Sequence, residues 1–274
     1  MNRAAPALPH TASGASALAV ARDCARAAAK IAREGFRQPR LSGVKGRGNI
    51  VTDTDFAVES RVQELIWAAF PGHGILSEET MPDTKPDGWV WVVDPIDGTK
   101  NFSMGIPLFC INLALCFDGE PQIGLTYDPM RREEFLAVRG RGLRVNGRPA
   151  AASQATSVFE SVLGVGVGFN DARGTTVFET LLRLWPDFQT FREIGSAALG
   201  LAYAACGRFD LFVHHFLYPW DLAAGLLQVS EGGGLITDRD GAPAALFSDS
   251  VLAGARAAHS DFLDKTAAID WRGS

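Results

Sequence analysis

The apolar residues of the chain follow two rhythms, which predict helices near the amino terminus and strands in the middle. Residues 16–36 are rich in Ala, Arg and Lys without an internal proline, which favours a long helix. In residues 55–70 the apolar positions recur at steps of three and four, and Pro71 and Gly72 follow directly. We therefore predict two helices, separated by a basic, glycine-rich loop at residues 43–49.

Between residues 74 and 155 the apolar runs become short and are separated by Gly, Pro and Asp. This pattern predicts strands that are joined mostly as antiparallel hairpins. Asp118-Gly119 and Asn146-Gly147 are dipeptides typical of tight hairpin turns. The predicted strands are 74–77, 88–93, 110–117, 123–127 and 134–138.

After residue 155 helical and strand patterns alternate, which favours a mixed or partly parallel sheet. We expect two sheet-containing parts with a boundary near this residue. The first, 1–155, is an N-terminal α+β part with an antiparallel sheet, and the second, 156–274, is a C-terminal α/β part. The predicted strands of the second part are 158–164, 188–194, 209–213, 235–237 and 251–253, and its predicted helices are 175–185, 196–206, 220–230 and one at the end.

Composition narrows the class of protein. The 274 residues are 47% hydrophobic and 21% charged, which is typical of a soluble globular chain. The net charge of −5 argues against a nucleic acid polymer or a membrane surface as a partner. No apolar run reaches the roughly 18 residues of a membrane span, and the first residues lack the apolar stretch of a signal peptide. The four cysteines form no C-x-x-C pair, so we expect buried thiols and a cytoplasmic location.

Three acidic clusters lie where an apolar segment begins or ends. Glu78 and Glu79 follow one predicted strand, Asp94 and Asp97 follow another, and Asp221 opens a predicted helix. Each cluster has an ordinary interpretation when it is taken singly. Asp221 could cap its helix, and the glutamates could be the solvated end of a strand.

The pair Asp94 and Asp97 is harder to explain as a polar turn. Pro95, between them, has no N–H and fixes its φ, so we expect the chain to leave the sheet there. Such a turn would bring both carboxylates, and the carbonyl of Ile96, to the same side. Carboxylate and carbonyl oxygens, with water, are the ligands that Mg²⁺ prefers. The pattern therefore predicts a metal site.

The residues that follow predict an anion site beside this metal site. Gly98 allows the backbone to approach a ligand closely, and Thr99 opens a short helical turn whose N–H groups would face an anion. Metal ligands next to a phosphate-accepting turn indicate phosphate chemistry. Two divalent ions about 4 Å apart can bind both an attacking water and a leaving oxygen.

These motifs carry a resemblance to a known family. The segment DPIDGTKNF at 94–102, with WDLAAG at 220–225 and EGGG at 231–234, resembles the inositol monophosphatase family of magnesium-dependent, lithium-sensitive phosphomonoesterases. The resemblance extends over about residues 49–253. It implies a layered α-β-α-β-α sandwich of the mixed α/β (α+β) class, two to three Mg²⁺ ions, a small phosphorylated metabolite as substrate, and a homodimer.

The resemblance also implies a role for individual residues. The metal ligands that it implies are Glu78, Asp94, the carbonyl of Ile96, Asp97 and Asp221. The catalytic residues that it implies are Glu78 and Thr99, which orient the attacking water, and Asp55 behind them. The substrate contacts that it implies are the amides of Gly98 and Thr99 for the phosphate, and Gly195, Ser196, Ala197 and His214 for the organic part. Lys45, in the 43–49 loop, matches a segment near the third metal.

One departure from the family bears on the substrate. His214 stands where relatives that act on inositol phosphates have a glutamate that binds a sugar hydroxyl. Inositol monophosphate is the expected ester, and histidinol phosphate, fructose 1,6-bisphosphate and a nucleotide 3′-phosphate are the alternatives. A catalytically silent relative that regulates or binds a partner is an alternative of another class. Smaller departures at Ser77, Lys100 and Gly232 are not expected to abolish metal binding.

Two further patterns resemble other chemistries. Asp53-Thr54-Asp55 has the D-x-D form of phosphatases with an aspartyl-phosphate intermediate, but only two strand-forming residues precede it. Gly164, Gly166 and Gly168 alternate as in a dinucleotide-binding turn, without the third glycine in register. We interpret these glycines as a strand that ends in a flexible loop.

Overall fold

The computed structural model describes residues 6–268, with the exception of 37, 39, 40, 47 and 82. Arg47, in the predicted basic loop, therefore lies outside the described residues, as do both chain ends. The helices are α1 Ala17–Gly35, α2 Asp53–Ala69, α3 Thr99–Ser103, α4 Asp171–Leu184, α5 Ala197–Ala205, α6 Pro219–Glu231 and α7 Arg256–Lys265. The strands are β1 Leu41–Val44, β2 Ile50–Thr52, β3 Gly74–Ser77, β4 Trp89–Asp97, β5 Cys110–Phe117, β6 Glu120–Asp128, β7 Glu133–Val138, β8 Leu143–Val145, β9 Arg148–Ala150, β10 Val162–Gly166, β11 Thr190–Glu193, β12 Leu211–His214, β13 Leu235–Thr237 and β14 Val251–Gly254.

Strands β3 to β9 form a seven-stranded sheet in chain order. Only the β3–β4 pair is parallel, so the prediction of antiparallel hairpins is confirmed for this sheet. Alternate residues of β4 face opposite sides, as the pleat requires. Trp91 and Val93 pack among α1 and α2, whereas Val90 and Val92 pack against α6.

Strands β10 to β14 form a five-stranded sheet in the order β11-β10-β12-β14-β13. β10 is parallel to both β11 and β12, and β14 is antiparallel to β12 and β13. The prediction of a mixed sheet after residue 155 is therefore confirmed. β1 and β2 form a separate two-stranded hairpin.

The helices complete five layers around the two sheets. α1 and α2 cover the outer face of the seven-stranded sheet, and α4 and α7 cover the outer face of the five-stranded sheet. α5 and α6 lie between the sheets and contact both of them. The layered α-β-α-β-α sandwich is therefore confirmed. A division of the chain at residue 155 stays a prediction.

Several predicted boundaries were wrong, and three of them have local reasons. The 43–49 loop begins later, because β1 extends to Val44 and pairs with β2. Residues 158–160 form a 3₁₀ turn rather than the start of a strand. α4 begins four residues before the predicted 175, because the side chain of Asn170 accepts a hydrogen bond from the N–H of Arg173 at 3.1 Å and caps the helix. Among the described residues, no helix combines the length and the apolar character that crossing a membrane requires.

Candidate metal centre and substrate pocket

The chain does not turn at the end of β4 as predicted. The irregular end of this strand explains how the carboxylates of Asp94 and Asp97 come close together. The strand continues through Pro95 to Asp97, and its register against β5 shifts between Asp94 and Asp97. Two residues of β4 thus lie opposite one residue of β5, as in a β-bulge. Pro95 is tolerated because it lies in this irregularity, beyond the last β3 partner of the strand. The extra residue offsets the alternation of side chains, so that residues three apart can face one side.

Three carboxylates converge at this point. Oxygens of Asp94, Asp97 and Asp221 lie within 4.8 Å of one another. Asp221 comes from the first turn of α6, where it accepts a hydrogen bond from the N–H of Tyr218 at 2.7 Å. Tyr218 is the N-cap, so the suggestion that Asp221 is the N-cap was wrong; Asp221 instead bonds back to the N-cap amide from the third helical position and also takes part in the cluster.

Asp97 is fixed by the start of α5. Its carboxylate accepts hydrogen bonds from the Ser196 hydroxyl and from the amides of Ala197 at 3.2 Å and Ala198 at 2.9 Å. The segment that the sequence assigned to the organic part of a substrate thus also positions Asp97. These donors stabilise the charged carboxylate, but burial prevails and raises the pKa of Asp97.

Asp94 provides the test of whether a cation fits. It is 1% exposed, and its Oδ1 is buried without a hydrogen-bond partner among the described residues. Burial, with the neighbouring charges of Glu78, Asp97 and Asp221, raises the pKa of Asp94 well above its usual range. An unpaired buried carboxylate oxygen among like charges is costly unless a cation neutralises it. The donors are all oxygens, so the residues present fit Mg²⁺.

Glu78 lines the same cavity but lies outside the three-carboxylate group found among the described residues. Its Oε1 pairs with Nζ of Lys45 at 2.9 Å, and the same ammonium lies 2.8 Å from Glu79. Burial raises the pKa of Glu78, and burial together with the Glu78 charge raises the pKa of Glu79 to about 7. Lys45 therefore contacts a predicted ligand directly.

The structure brings Asp55, Thr99 and the carbonyl of Ile96 together beside the cluster. The Thr99 hydroxyl lies 3.1 Å from Oδ1 of Asp55 and 2.9 Å from the Ile96 oxygen, and it has one hydrogen to donate. The other Asp55 oxygen accepts from the amide of Thr52 at 2.9 Å and from its hydroxyl. Asp55 is fully buried and held from two sides, as its implied supporting role requires.

Gly98 and Gly195 lie against each other at the entrance to α3. Gly98 has a φ of 95°, and a Cβ there would lie 3.0 Å from the Gly195 carbonyl oxygen. Only glycine combines this backbone conformation with this close approach. The Asn101 side chain donates to the carbonyls of Leu108 and Ile194, each at 2.7 Å, and so fixes the segment before Ser196 to α3.

The sequence analysis missed Asn101 and Glu59 as positioning residues. Glu59 is fully buried, and its carboxylate accepts from the amides of Glu79 and Thr80, each at 2.9 Å, and from the Ser77 hydroxyl at 3.0 Å. It therefore shapes the turn that carries Glu78. A signal was present, because Glu59 interrupts the apolar face of α2 at a buried position.

A cavity of about 620 Å³ connects the carboxylates with the remaining predicted contacts. Gly195, Ser196, Ala197 and His214 all line it. His214 is buried, its Nδ1 accepts from the amide of Phe216 at 3.2 Å, and burial lowers its pKa to about 3. His214 is therefore neutral at pH 7 and cannot replace the charge of the family's glutamate.

Buried histidines predict acid sensitivity outside the carboxylate cluster. Burial lowers the pKa of His259 to about 4, against 6.5 in an unfolded chain. The unfolded state then binds the extra proton, so the stability present above pH 6.5 is lost as the pH falls toward 4. When the pH falls from 7 to 5, we expect the free energy of unfolding to decrease by about 2 kcal/mol less in His259→Gln than in the wild type.

Urea unfolding at both pH values measures this difference. In His259→Gln the new amide would keep a partner for the Thr237 hydroxyl, which lies 3.0 Å from Nε2 of His259. His10→Gln, at an exposed position, is the matched control and should leave the pH dependence unchanged. An equal loss in His259→Gln and the wild type would show that this histidine does not carry the acid sensitivity.

Known proteins resemble the chain over most of its length. The family model described as "Inositol monophosphatase family" matches residues 15–270. Nus factor SuhB of Salmonella typhimurium is 35% identical over 241 residues, which cover 86% of this chain and 90% of the relative. Inositol monophosphatase 1 of Solanum lycopersicum is 36% identical over 245 residues, which cover 86% and 89%. The solved IMPase of Thermotoga maritima superposes with a TM-score of 0.84 at 30% identity and covers 92% of this chain and 97% of that one.

Proposed function

The chain belongs to the inositol monophosphatase family, and we propose that it hydrolyses a small phosphomonoester with Mg²⁺ and water. One observation carries the proposal. Oδ1 of Asp94 has no hydrogen-bond partner among the described residues, and Asp94 groups with two further carboxylates in a cavity that also contains the turn at Gly98 and Thr99. A cluster of this kind suits a reaction in which negative charge must be neutralised around a phosphate.

In the proposed reaction, different residues bind the metal, orient the water and receive the phosphate. Asp94, Asp97, Asp221 and the Ile96 carbonyl would hold Mg²⁺, with Glu78 at the edge of the cluster. When bound, Mg²⁺ would supply charge neutralisation and would make water a better nucleophile. Thr99 donates its hydrogen to Asp55 or to Ile96, so its oxygen keeps lone pairs that can orient a water. The backbone at Gly98 would receive the phosphate.

Inositol monophosphate is the first ester to test, because a relative at 36% identity is named an inositol monophosphatase. Histidinol phosphate, fructose 1,6-bisphosphate and adenosine 3′,5′-bisphosphate complete the panel. Phosphate release should require Mg²⁺ and stop with EDTA. The absence of EDTA-sensitive release from every ester would contradict the proposal.

A second candidate function is that of a catalytically silent regulatory or binding relative. The observation that favours it is the name Nus factor carried by a relative at 35% identity. The chain retains every metal ligand that the resemblance implies, which argues against this function, because a catalytically silent relative need not keep all of these ligands. The homodimer, the cytoplasmic location, lithium inhibition and the lack of a nucleic acid partner stay predictions.

The substrate preference should respond to residue 214. We expect His214→Glu to raise the kcat/KM for inositol 1-phosphate relative to the other esters by about tenfold, because a carboxylate that accepts from a sugar hydroxyl contributes about 1–2 kcal/mol. His214→Gln is the matched control, since it keeps a polar side chain without the charge. If the ratio is the same in the two variants, the assignment of position 214 to the substrate is wrong.

A further inference from the structure

The alternating glycines in β10 and just after it have a structural role that the sequence pattern did not reveal. Gly164, Gly166 and Gly168 leave one face of this segment without side chains, and aromatic rings from residues 209–216 cover it. A Cβ at Gly166 would overlap the ring of His214, its register partner on β12. A Cβ at Gly168 would lie 2.8 Å from Cβ of Phe216. The glycines thus make room for rings beside the cavity.

Aromatic rings also line the cavity that contains the carboxylates. His214 and Phe216 line it from the β12 side, and Phe169 and Phe178 line it from the α4 side. Phe169 is 50% exposed and Phe178 is 57% exposed, although both are large apolar side chains. The Arg173 guanidinium lies 5.8 Å from the centre of the Phe216 ring and helps to hold it in place.

Several polar side chains of this cavity bond to the chain itself. Glu193 accepts from the amide of Gly195 at 2.9 Å, and the Thr175 hydroxyl donates to the carbonyl of Asp171 at 2.8 Å. Asn170 caps α4, and Ser196 donates to Asp97. A ligand with many hydroxyl groups needs several available partners, because each unpaired polar group that is buried costs free energy. Phe169, Phe178 and Phe216 offer apolar surface instead.

We propose that the organic part of the substrate is an aromatic or heteroaromatic ring that packs against Phe216, Phe169 and Phe178. This inference rests on the proposed function, and it narrows the ester to an aromatic phosphomonoester rather than a polyol phosphate. The ring would lie on the wall while the phosphate reaches the carboxylates and Thr99. Aromatic pairs favour offset or edge-to-face packing, and such pairs gain stability beyond the area that they bury.

The test compares alkyl phosphates that differ in the ring, and the first two of them are matched esters of primary alcohols. 2-Phenylethyl phosphate carries an aromatic ring, 2-cyclohexylethyl phosphate carries a saturated ring of similar size, and glycerol 2-phosphate carries no ring. Inositol 1-phosphate is the polyol. With Mg²⁺, we expect the kcat/KM of the aromatic ester to exceed that of the cyclohexyl ester and of inositol 1-phosphate by about fivefold.

Variants of the phenylalanines that line the cavity test whether these rings cause the preference for the aromatic ester. Phe216→Leu and Phe178→Leu should each lower the ratio of the aromatic to the cyclohexyl kcat/KM by about threefold. Phe178 is exposed on α4, so its variant is expected to fold even if the Phe216 variant does not. Phe159→Leu is the matched control, because Phe159 is also exposed but lies outside the cavity lining, and it should leave the ratio unchanged.

Each outcome decides between the two proposals. Equal turnover of the aromatic and cyclohexyl esters, faster turnover of inositol 1-phosphate, or a ratio that neither wall variant changes would overturn the inference alone. In those cases the EDTA-sensitive release of phosphate would still support the proposed function. No EDTA-sensitive release from any of the four esters, or from any ester of the panel given for the proposed function, would overturn both.

Discussion

Asp94→Asn is expected to lower Mg²⁺-dependent phosphate release by about 10³-fold, which corresponds to roughly 4 kcal/mol of transition-state stabilisation. The reason is the environment of Asp94, whose buried Oδ1 has no partner among the described residues and whose carboxylate groups with two others. Asparagine has nearly the same shape but lacks the charge that would hold Mg²⁺. Steady-state kinetics and calorimetric titration with Mg²⁺ measure the two effects.

The same variant should be more stable than the wild type when metal is removed. At pH 8 with EDTA, asparagine removes a carboxylate whose burial and repulsion from its neighbours raise its pKa, so the variant should melt at a higher temperature. Asp87→Asn, at an exposed position, is the matched control for both measurements. Turnover and Mg²⁺ affinity like those of the wild type would show that Asp94 holds no metal.

Asp97→Asn is expected to reduce activity by a similar factor, about 10³-fold, and to destabilise the fold as well. Asp97 differs from Asp94 because three donors from the start of α5 bond to its carboxylate. An amide offers a single carbonyl oxygen to these donors, and its NH₂ group faces a donor instead. We expect a loss of about 1–3 kcal/mol in the unfolding free energy, measured with urea in EDTA.

A double-mutant cycle with Ser196→Ala separates the loss of stability in Asp97→Asn from its loss of activity. Ser196→Ala alone should cost about 1 kcal/mol, and it should cost much less in the Asp97→Asn background, where the charge-assisted hydrogen bond is already lost. Additive stability losses would show that the two side chains do not interact. Unchanged Mg²⁺-dependent turnover in Asp97→Asn would remove it from the proposed ligands.

Most helices and strands could be predicted from the sequence, because the patterns that specify them extend over only a few neighbouring residues. The Asp-Gly and Asn-Gly turns are examples, since Asp118, Gly119, Asn146 and Gly147 all have positive φ values, as tight hairpins require. The helix predicted from residue 16 begins one residue later, at Ala17, after Ser16 as its cap. The layer order came from the family resemblance, because periodicity alone does not state which sheet a helix covers.

The bulge at Pro95 shows where local rules fail. Proline is disfavoured inside a sheet, and the rule predicts a turn at this position. The strand continues because β3 stops pairing at Ser77, which leaves the far end of β4 with one neighbour. The length of a neighbouring strand is not visible in the residues around Pro95.

The candidate site was only partly predictable for a similar reason. The motifs pointed to Asp94, Asp97 and Asp221, and the structure brings these together. The contact of Lys45 with Glu78 depends on how a hairpin folds over the end of β3, which spacing does not specify. Likewise, the wall of rings depends on the parallel pairing of β10 with β12, which places residues nearly fifty positions apart side by side.

The position of α5 and α6 between the sheets has a consequence for the order of events in folding. Asp94 and Asp97 belong to β4 of the seven-stranded sheet, whereas Ser196 and Asp221 belong to the first turns of helices that also pack on the five-stranded sheet. The three carboxylates can therefore gather only after the middle layer has docked. A cation bound there would link the layers, and with it bound the backbone amides of β4 and α6 should open to solvent together rather than one element at a time.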